Sequence, residues 1–207
     1  LGRLSPQARD LLRYAAVLGD DFDFDLLWAL SGEEDEELLL VQLEELLDRN
    51  LLIEEDDTYH FAHNLMRRVL YDETHPRRRR IWHRRAAEAL ARLAPHQIAP
   101  RARHAHAAQD WPASLDLSLQ AAEQALSLFA IEEAEAFFLL AKEADNHIAD
   151  VAPATRLRRL RGLARVYRIH GNDEGEARAL EDWLTLARST DAPAEGALAL
   201  ATLASNL

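Results

Sequence analysis

The breaks in this chain constrain its fold more than its composition does. Helix-period runs cover 101–108, 113–129, 132–148, 154–170, 174–189 and 194–206. What separates them is short: Gln109-Asp110-Trp111-Pro112, Ala130-Ile131, Val151-Ala152-Pro153, Gly171-Asn172-Asp173 and Asp191-Ala192-Pro193. A short connection gives a helix no route except back along its predecessor, so each run is predicted to lie antiparallel to the next. Within the runs, Ala134, Phe138 and Ala141 alternate small, aromatic and small, while Leu163, Ala164 and Tyr167 lead to Gly171. Small residues let two helices approach, and the aromatic fills the groove between pairs. The expectation is an α-helical solenoid of degenerate repeats.

The first hundred residues read differently. Ser5-Pro6 is an N-cap followed by proline at N1, where the missing amide costs nothing. The helix it starts carries Leu11, Leu12, Ala15, Ala16 and Leu18 inward and ends at Gly19. A second helix lies near Phe24 to Leu30 and stops at Ser31-Gly32. A third runs from about Glu33 to Arg49, with Leu39, Leu43, Leu46 and Leu47 on one stripe. Leu51 to Glu54 and Tyr59 to Ala62 are strand-like runs around Asp56-Asp57. Three helices followed by a two-stranded ribbon is the order of a winged-helix domain.

His63 then stands where strand gives way to helix, with Leu65, Val69 and Leu70 sharing a face and Met66 beside them. Pro76 breaks that helix. The next, from about Arg77 to Leu93, is expected to turn Ile81, Trp82, Ala86, Ala89, Leu90 and Leu93 inward, and Pro95 and Pro100 mark a joint. The expected fold is mainly α: a winged-helix-like domain with a small two-stranded β-wing over 1–75, a connecting helix and linker over 76–100, and helical repeats over 101–207.

Charge is distributed in blocks. The net charge is -12. Residues 1–62 hold 4 Lys+Arg against 17 Asp+Glu, residues 63–103 hold 11 against 3, and residues 104–207 hold 9 against 16. An acidic head, a basic middle and an acidic tail can orient domains or mark a partner site. No cysteine is present, so neither a disulfide nor a thiolate zinc site can form. No apolar run approaches the roughly 20 residues of a membrane span, and no signal-like start is visible, so a cytoplasmic protein is expected. The chain starts at Leu1 and stops mid-pattern at LATLASNL, and it is expected to be a segment of a longer protein.

The stretches RLSPQARDLLRYAAVLGDDFDFDLLWALSG, EELLLVQLEELLDRNLLIEE and YHFAHNLMRRVLYDE, in that order, resemble the segment that follows the nucleotide-binding module in bacterial STAND ATPases, such as MalT-like, LuxR-type and SARP-like regulators. HAAQDWPASLDLSLQAAEQAL resembles that family's first repeat region, and the small-aromatic-small spacing is similar to tetratricopeptide repeats. The repeat match departs at Phe129, where glycine is usual, and at Ala177, one residue late after Gly171. The resemblance implies a signal-responsive transcriptional regulator in which ADP holds a closed state while ATP and an inducer favour an open, assembling one. It implies that His63 can reach the nucleotide's phosphates, and a helix N-terminus makes an anion there physically reasonable. Arg68 stands where the family often has an acid.

Other constellations point away from chemistry within this segment. There is no G-x-x-x-x-G-K-[ST], so no triphosphate cradle and no bound cofactor is expected here; ATP or ADP would belong to the parent protein. Asp21, Asp23 and Asp25 alternate like an EF-hand start, but Leu26 occupies the glycine position and Gly32 the glutamate position, leaving capping and solvation. The nine histidines form no H-E-x-x-H, and His104 and His106 fall on different helix faces. No catalytic or metal residue is assigned. Arg77, Arg78, Arg79 and Arg80 form a basic run suited to a contact with the acidic head or with a neighbouring ATPase module.

The reading is therefore a non-catalytic region that couples an ATPase module to a helical-repeat sensor arm, with protein partners, including other protomers, and an inducer on the repeat surface, and with no membrane contact. The alternative is a DNA-binding winged helix with a helical dimerisation tail. The acids Glu33 to Glu37, Glu44, Glu45 and Asp48 argue against direct DNA binding, because affinity for duplex comes largely from lysine and arginine.

Overall fold

Helix α1 (Pro6–Leu18) begins where Ser5 Oγ accepts the amide of Ala8 at 3.1 Å. The same serine donates from its hydroxyl and its amide to the Glu45 carboxylate at 2.6 and 3.1 Å. One residue thus caps α1, worth about 1 kcal/mol, and ties it to the third helix. The computed structural model describes residues 4–204, and its contacts divide the chain into two units, one through Asp110 and one from Trp111 onward.

In the first unit, strand β1 (Asp21–Asp23) follows α1, then helices α2 (Phe24–Ser31) and α3 (Glu36–Asp48), then strands β2 (Leu52–Glu55) and β3 (Thr58–Phe61). The sheet order is β1-β3-β2, antiparallel throughout, with Phe22 opposite Tyr59 and Leu52 opposite Phe61. The expected two-stranded wing is therefore a three-stranded sheet. Asp-Phe-Asp is too short to display a period, and its strand character comes from tertiary pairing: Phe22 is buried and stacks on Tyr59 with centroids 6.1 Å apart. Asp23 caps α2 by accepting the Leu26 amide at 2.7 Å, which gives that acid a local structural role. Asp35 caps α3, so that helix starts at Glu36, three residues later than expected. Asp56 and Asp57 both have positive φ between β2 and β3, as a two-residue type I′ turn requires.

Helices α4 (Asn64–Glu73), α5 (Pro76–Leu93) and α6 (Ile98–Ala107) complete this unit. The segment 76–100, expected as a connector, contributes Trp82, Ala86, Ala89 and Leu90 to the same core as Leu11, Leu12, Leu27 and Leu39. Trp82 meets Tyr14 of α1 edge-on at 4.6 Å. Two faces differ from expectation. On α4, Leu70 is buried and Met66 packs beside it, while Leu65 is 70% exposed and Val69 also faces solvent. On α5, Ile81 and Leu93 are exposed and His83 takes an inward place. Apolar identity alone does not choose between adjacent faces of a helix. Pro100 does not break a joint but lies in the first turn of α6, where a missing amide is tolerated.

The second unit is helical: α7 (Trp111–Ser127), α8 (Ile131–Asn146), α9 (Pro153–His170), α10 (Asp173–Ser189) and α11 (Pro193–Ala204). The run expected over 194–206 reaches past the described residues at 205 and 206. Each helix packs on the next in sequence, and α7 also touches α9. Ala134, Phe138 and Ala141 are all buried, and the Phe138 ring lies directly against Gly162 of α9. Asp145, itself buried, holds Arg156 at 2.9 Å and Arg159 at 3.3 Å. Trp111, expected in a turn, opens α7 and stacks on His147 at 4.1 Å. Phe129 adopts φ 59 in the left-handed region with its ring 82% exposed, while Ala130 N–H closes the helix end onto the Ala125 carbonyl at 2.9 Å.

Two glycines in helices separate backbone propensity from packing. Glycine to alanine within a helix ordinarily stabilises by about 1 kcal/mol. Gly196→Ala should follow that rule, since its new Cβ meets only the Ala187 methyl at 3.9 Å. Gly162→Ala should do the reverse, because the Cβ would overlap the buried Phe138 ring, and overpacking costs about 1–3 kcal/mol. Thermal melts of the two variants check the pair; a Gly162→Ala protein as stable as the parent contradicts the packing of α8 on α9.

Candidate functional site

His63 is the N-cap residue of α4, with extended backbone at φ -141 and ψ 112. Its carbonyl accepts the Met66 amide at 2.9 Å, but its ring makes no capping hydrogen bond and is exposed. The strand-to-helix junction expected here is present, and the imidazole stands at the positive end of a ten-residue helix.

The four arginines at the start of α5 do not act as one group. His75 Nδ1 accepts the Arg77 amide at 3.2 Å, capping the helix. The Arg78 guanidinium lies 5.7 Å from the Trp82 ring centre. Arg79 folds back onto α4: it donates to the Tyr71 carbonyl at 3.3 Å, lies over the Tyr71 ring at 4.6 Å, and reaches Asp72 at 3.6 Å. The Arg80 side chain is exposed, so it and Arg77 present charge outward.

The most constrained polar cluster of this unit was not anticipated. Tyr71, His83 and His104 come from α4, α5 and α6 and form a hydrogen-bonded row. Tyr71 Oη is 2.9 Å from His83 Nε2, and His83 Nδ1 is 2.9 Å from His104 Nδ1. Both histidines are buried. His104 has a further backbone hydrogen bond with Leu18. With its Nδ1 taken, that bond uses Nε2, and a carbonyl partner makes Nε2 the donor. The remaining tautomers follow: His104 Nδ1 accepts from His83 Nδ1–H, and His83 Nε2 accepts from the Tyr71 hydroxyl. Every ring nitrogen is satisfied with both imidazoles neutral.

Protonating both rings would put two N–H donors face to face at Nδ1, and even one added charge would sit in a site from which water is largely excluded. Burial pushes His83 down to about 3, helped by His104 and Arg79. Burial also pushes His104 down to about 4, with Arg103 adding to the effect and the Leu18 hydrogen bond opposing it. Neither ring can serve as a base poised near neutral pH. Beside the pair lies a cavity of about 530 Å³ lined by Gly19, Asp20, Asp21, Arg67 and Arg103, among others. Arg67 is held by Asp20 at 2.8 Å. Among the described residues no three His, Cys, Asp or Glu side chains converge as a metal site would need, and no described helix is long and apolar enough to cross a membrane. The sequence signal for the pair was positional: His83 sits within the Trp82-Ala86-Ala89-Leu90 face and His104 next to Ala105.

The depressed values set the sign of a pH dependence. The unfolded chain binds protons near pH 6.5, the ordinary histidine value, and the folded chain does not until about 3 to 4. Stability is therefore full above pH 6.5 and falls on acidification toward 4, by up to about 1.4 kcal/mol per pH unit for each histidine. Urea midpoints between pH 7 and 4 should fall accordingly, and His104→Asn should reduce the slope even if it lowers stability overall. A slope unchanged by that substitution would place the acid sensitivity elsewhere.

No family model matches the chain, and no curated protein matches it. Among solved structures it is similar to the crystal structure of a Signal Transduction ATPase with Numerous Domains (STAND) protein with a tetratricopeptide repeat sensor from Pyrococcus horikoshii. The identity is 12%, the match covers 96% of this chain and 41% of that chain, and the TM-score is 0.38. A likeness of that size assigns neither a fold family nor an activity.

Proposed function

We infer that this chain is a regulatory interaction region of a STAND-type transcriptional regulator: a winged-helix coupling domain, followed by a tetratricopeptide-like arm that senses a protein or small inducer. The observation that carries the reading is the element order of the first unit. Helix, strand, helix, helix, strand, strand, with β1 paired to β3 rather than β2, supports the winged-helix reading. The arm reading draws on helices that each pack on their sequence neighbour and on the buried Ala134, Phe138 and Ala141 at repeat spacing. The chain is taken as non-catalytic and cytoplasmic, with ATP and ADP bound by a module outside it.

The outer face of α3 favours a protein contact over DNA. Glu36, Glu37, Glu44 and Asp48 are exposed there, with Leu38 and Val41 between them. A duplex would meet a row of like charges. Gel-shift titration at physiological salt should show no sequence-specific duplex binding; a sub-micromolar specific complex would move the assignment to a DNA-binding winged helix.

In the intact protein His63 reports the nucleotide state, and the outward Arg77 and Arg80 contact the ATPase module. The ring of His63 is uncommitted to capping and sits beside free amides at the α4 N-terminus, which suits a phosphate. His63→Ala in the full-length protein should weaken ADP binding and raise basal output without inducer, since a ligand shifts a two-state equilibrium only by its differential affinity. Unchanged ADP affinity with an intact fold would leave His63 a structural residue.

A further inference from the structure

We propose that the outer face of α3 docks on the outer face of α5 in a second copy of this chain, joining copies head to tail. This rests on the reading of α3 as a protein-contact face and supplies the partner for it.

The two faces match in spacing and oppose in charge. On α3, Glu37, Val41, Glu44 and Asp48 fall four, three and four residues apart, which places them on one stripe. On α5, Arg77, Ile81, Arg84 and Glu88 fall at the same intervals. Each stripe therefore has an apolar residue with a charge one turn to either side, acidic on α3 and basic on α5. All eight residues are exposed. Val41 is 55% exposed and Ile81 43%, although neither lies at a helix end.

Charge is uncompensated on both stripes. Among the described residues, Glu37, Glu44, Asp48, Arg77 and Arg84 form no ion pair. Nearby charges of the opposite sign are already held: Arg49 by Glu45 at 3.3 Å, and Asp72 by Arg79 at 3.6 Å. Arg80 and Arg85 widen the basic face, and its single acid, Glu88, has Arg84 and Arg92 one turn to either side. A nucleic acid would engage the arginines through its phosphates but leave Ile81 and the whole α3 stripe unused. A helix carrying acids around a central apolar residue uses both, and α3 is such a helix.

α3 and α5 both pack on α1, and their stripes face away from that shared core, so the contact forms between copies. Antiparallel docking of Val41 on Ile81 sets Glu37 beside Arg84 and Glu44 beside Arg77. It also brings Asp48 to the amino end of α5, where the helix dipole favours an acid. The parallel alignment would set Asp48 against Glu88. Because the two faces are unlike, the contact is heterologous, and copies add until a ring closes or a filament grows. Arg77 serves one contact at a time, so a docked copy displaces the ATPase module from it.

Sedimentation velocity on the full chain tests the contact. Mean mass should rise with protein concentration, and less so in about 500 mM than in about 50 mM NaCl. Two variants each reverse one stripe: Glu37→Arg with Glu44→Arg, and Arg77→Glu with Arg84→Glu. Each alone should self-associate at least about tenfold more weakly, since like charges then face each other. Mixed, the two should associate again, because acid meets arginine at every contact. If a double variant melts early, Glu37→Arg and Arg84→Glu alone make the same comparison. A parent chain that stays monomeric at millimolar concentration overturns the proposal and leaves α3 to a different protein. Sequence-specific duplex binding in the gel shift would instead remove the reading of α3 beneath it. Reversed variants that associate as the parent does, or that stay apart when mixed, also overturn the proposal. So does weakening by the α5 reversal alone, which hands the arginines to another acidic surface.

Discussion

The hydrogen bond between two buried imidazoles is the contact on which the first unit depends. His83 and His104 bring α5 to α6, Tyr71 adds α4, and the Leu18 backbone adds the end of α1. Four helices meet at a row of polar atoms in which every ring nitrogen is paired while both rings are uncharged. An apolar pair could fill the same space, but it would not set the register between α5 and α6. The polar row accepts one alignment, since a shift of one residue would strand a buried donor at a cost of about 1–3 kcal/mol.

Local chemistry was legible in the sequence wherever it was spelled by neighbouring residues. Ser5-Pro6, Gly19 and Gly32 bounded α1 and α2 as capping predicts, and Asp56-Asp57 marked the hairpin. Where the decisive partner is distant, the sequence alone was silent. β1 is a strand because residues near Tyr59 lie alongside it, and nothing within Asp-Phe-Asp says so. The same holds for His83 and His104, each unremarkable by itself and meaningful only as a pair. The misjudged faces of α4 and α5 have a related cause. Leu65 and Ile81 are as apolar as Met66 and Trp82, and only the positions of the elements packed against α4 and α5 decide which of them is covered. His63 and the Arg77–Arg80 run were legible as a junction and a basic run, yet the division of labour among the arginines depends on where Tyr71 stands.

The arrangement also explains how a basic middle and an acidic head share one unit while much of their charge is spent within each block. Arg79 is consumed by α4, and Arg67 by Asp20. The acids of α3 serve its own N-terminus, with Asp35 as cap and Glu36 and Glu37 in the first turn. Charge is matched to helix ends before it is matched to opposite charge. Exposed surface ion pairs contribute little in any case, and the uncommitted arginines remain on the outer faces of α5.

The pairing of β1 with β3 bears on how the chain can be made as well as how it holds. On a ribosome, Phe22 emerges well before Tyr59, so the first strand has no partner until the whole of α2, α3 and β2 has been synthesised. Until then its apolar ring is open to wrong neighbours. The helices from α7 onward face no such wait, since each finds its main contact in the helix just finished, and contacts close in sequence form early. Synthesis from the N-terminus thus delivers the nonlocal half of the molecule first, and the half that can assemble one helix at a time last.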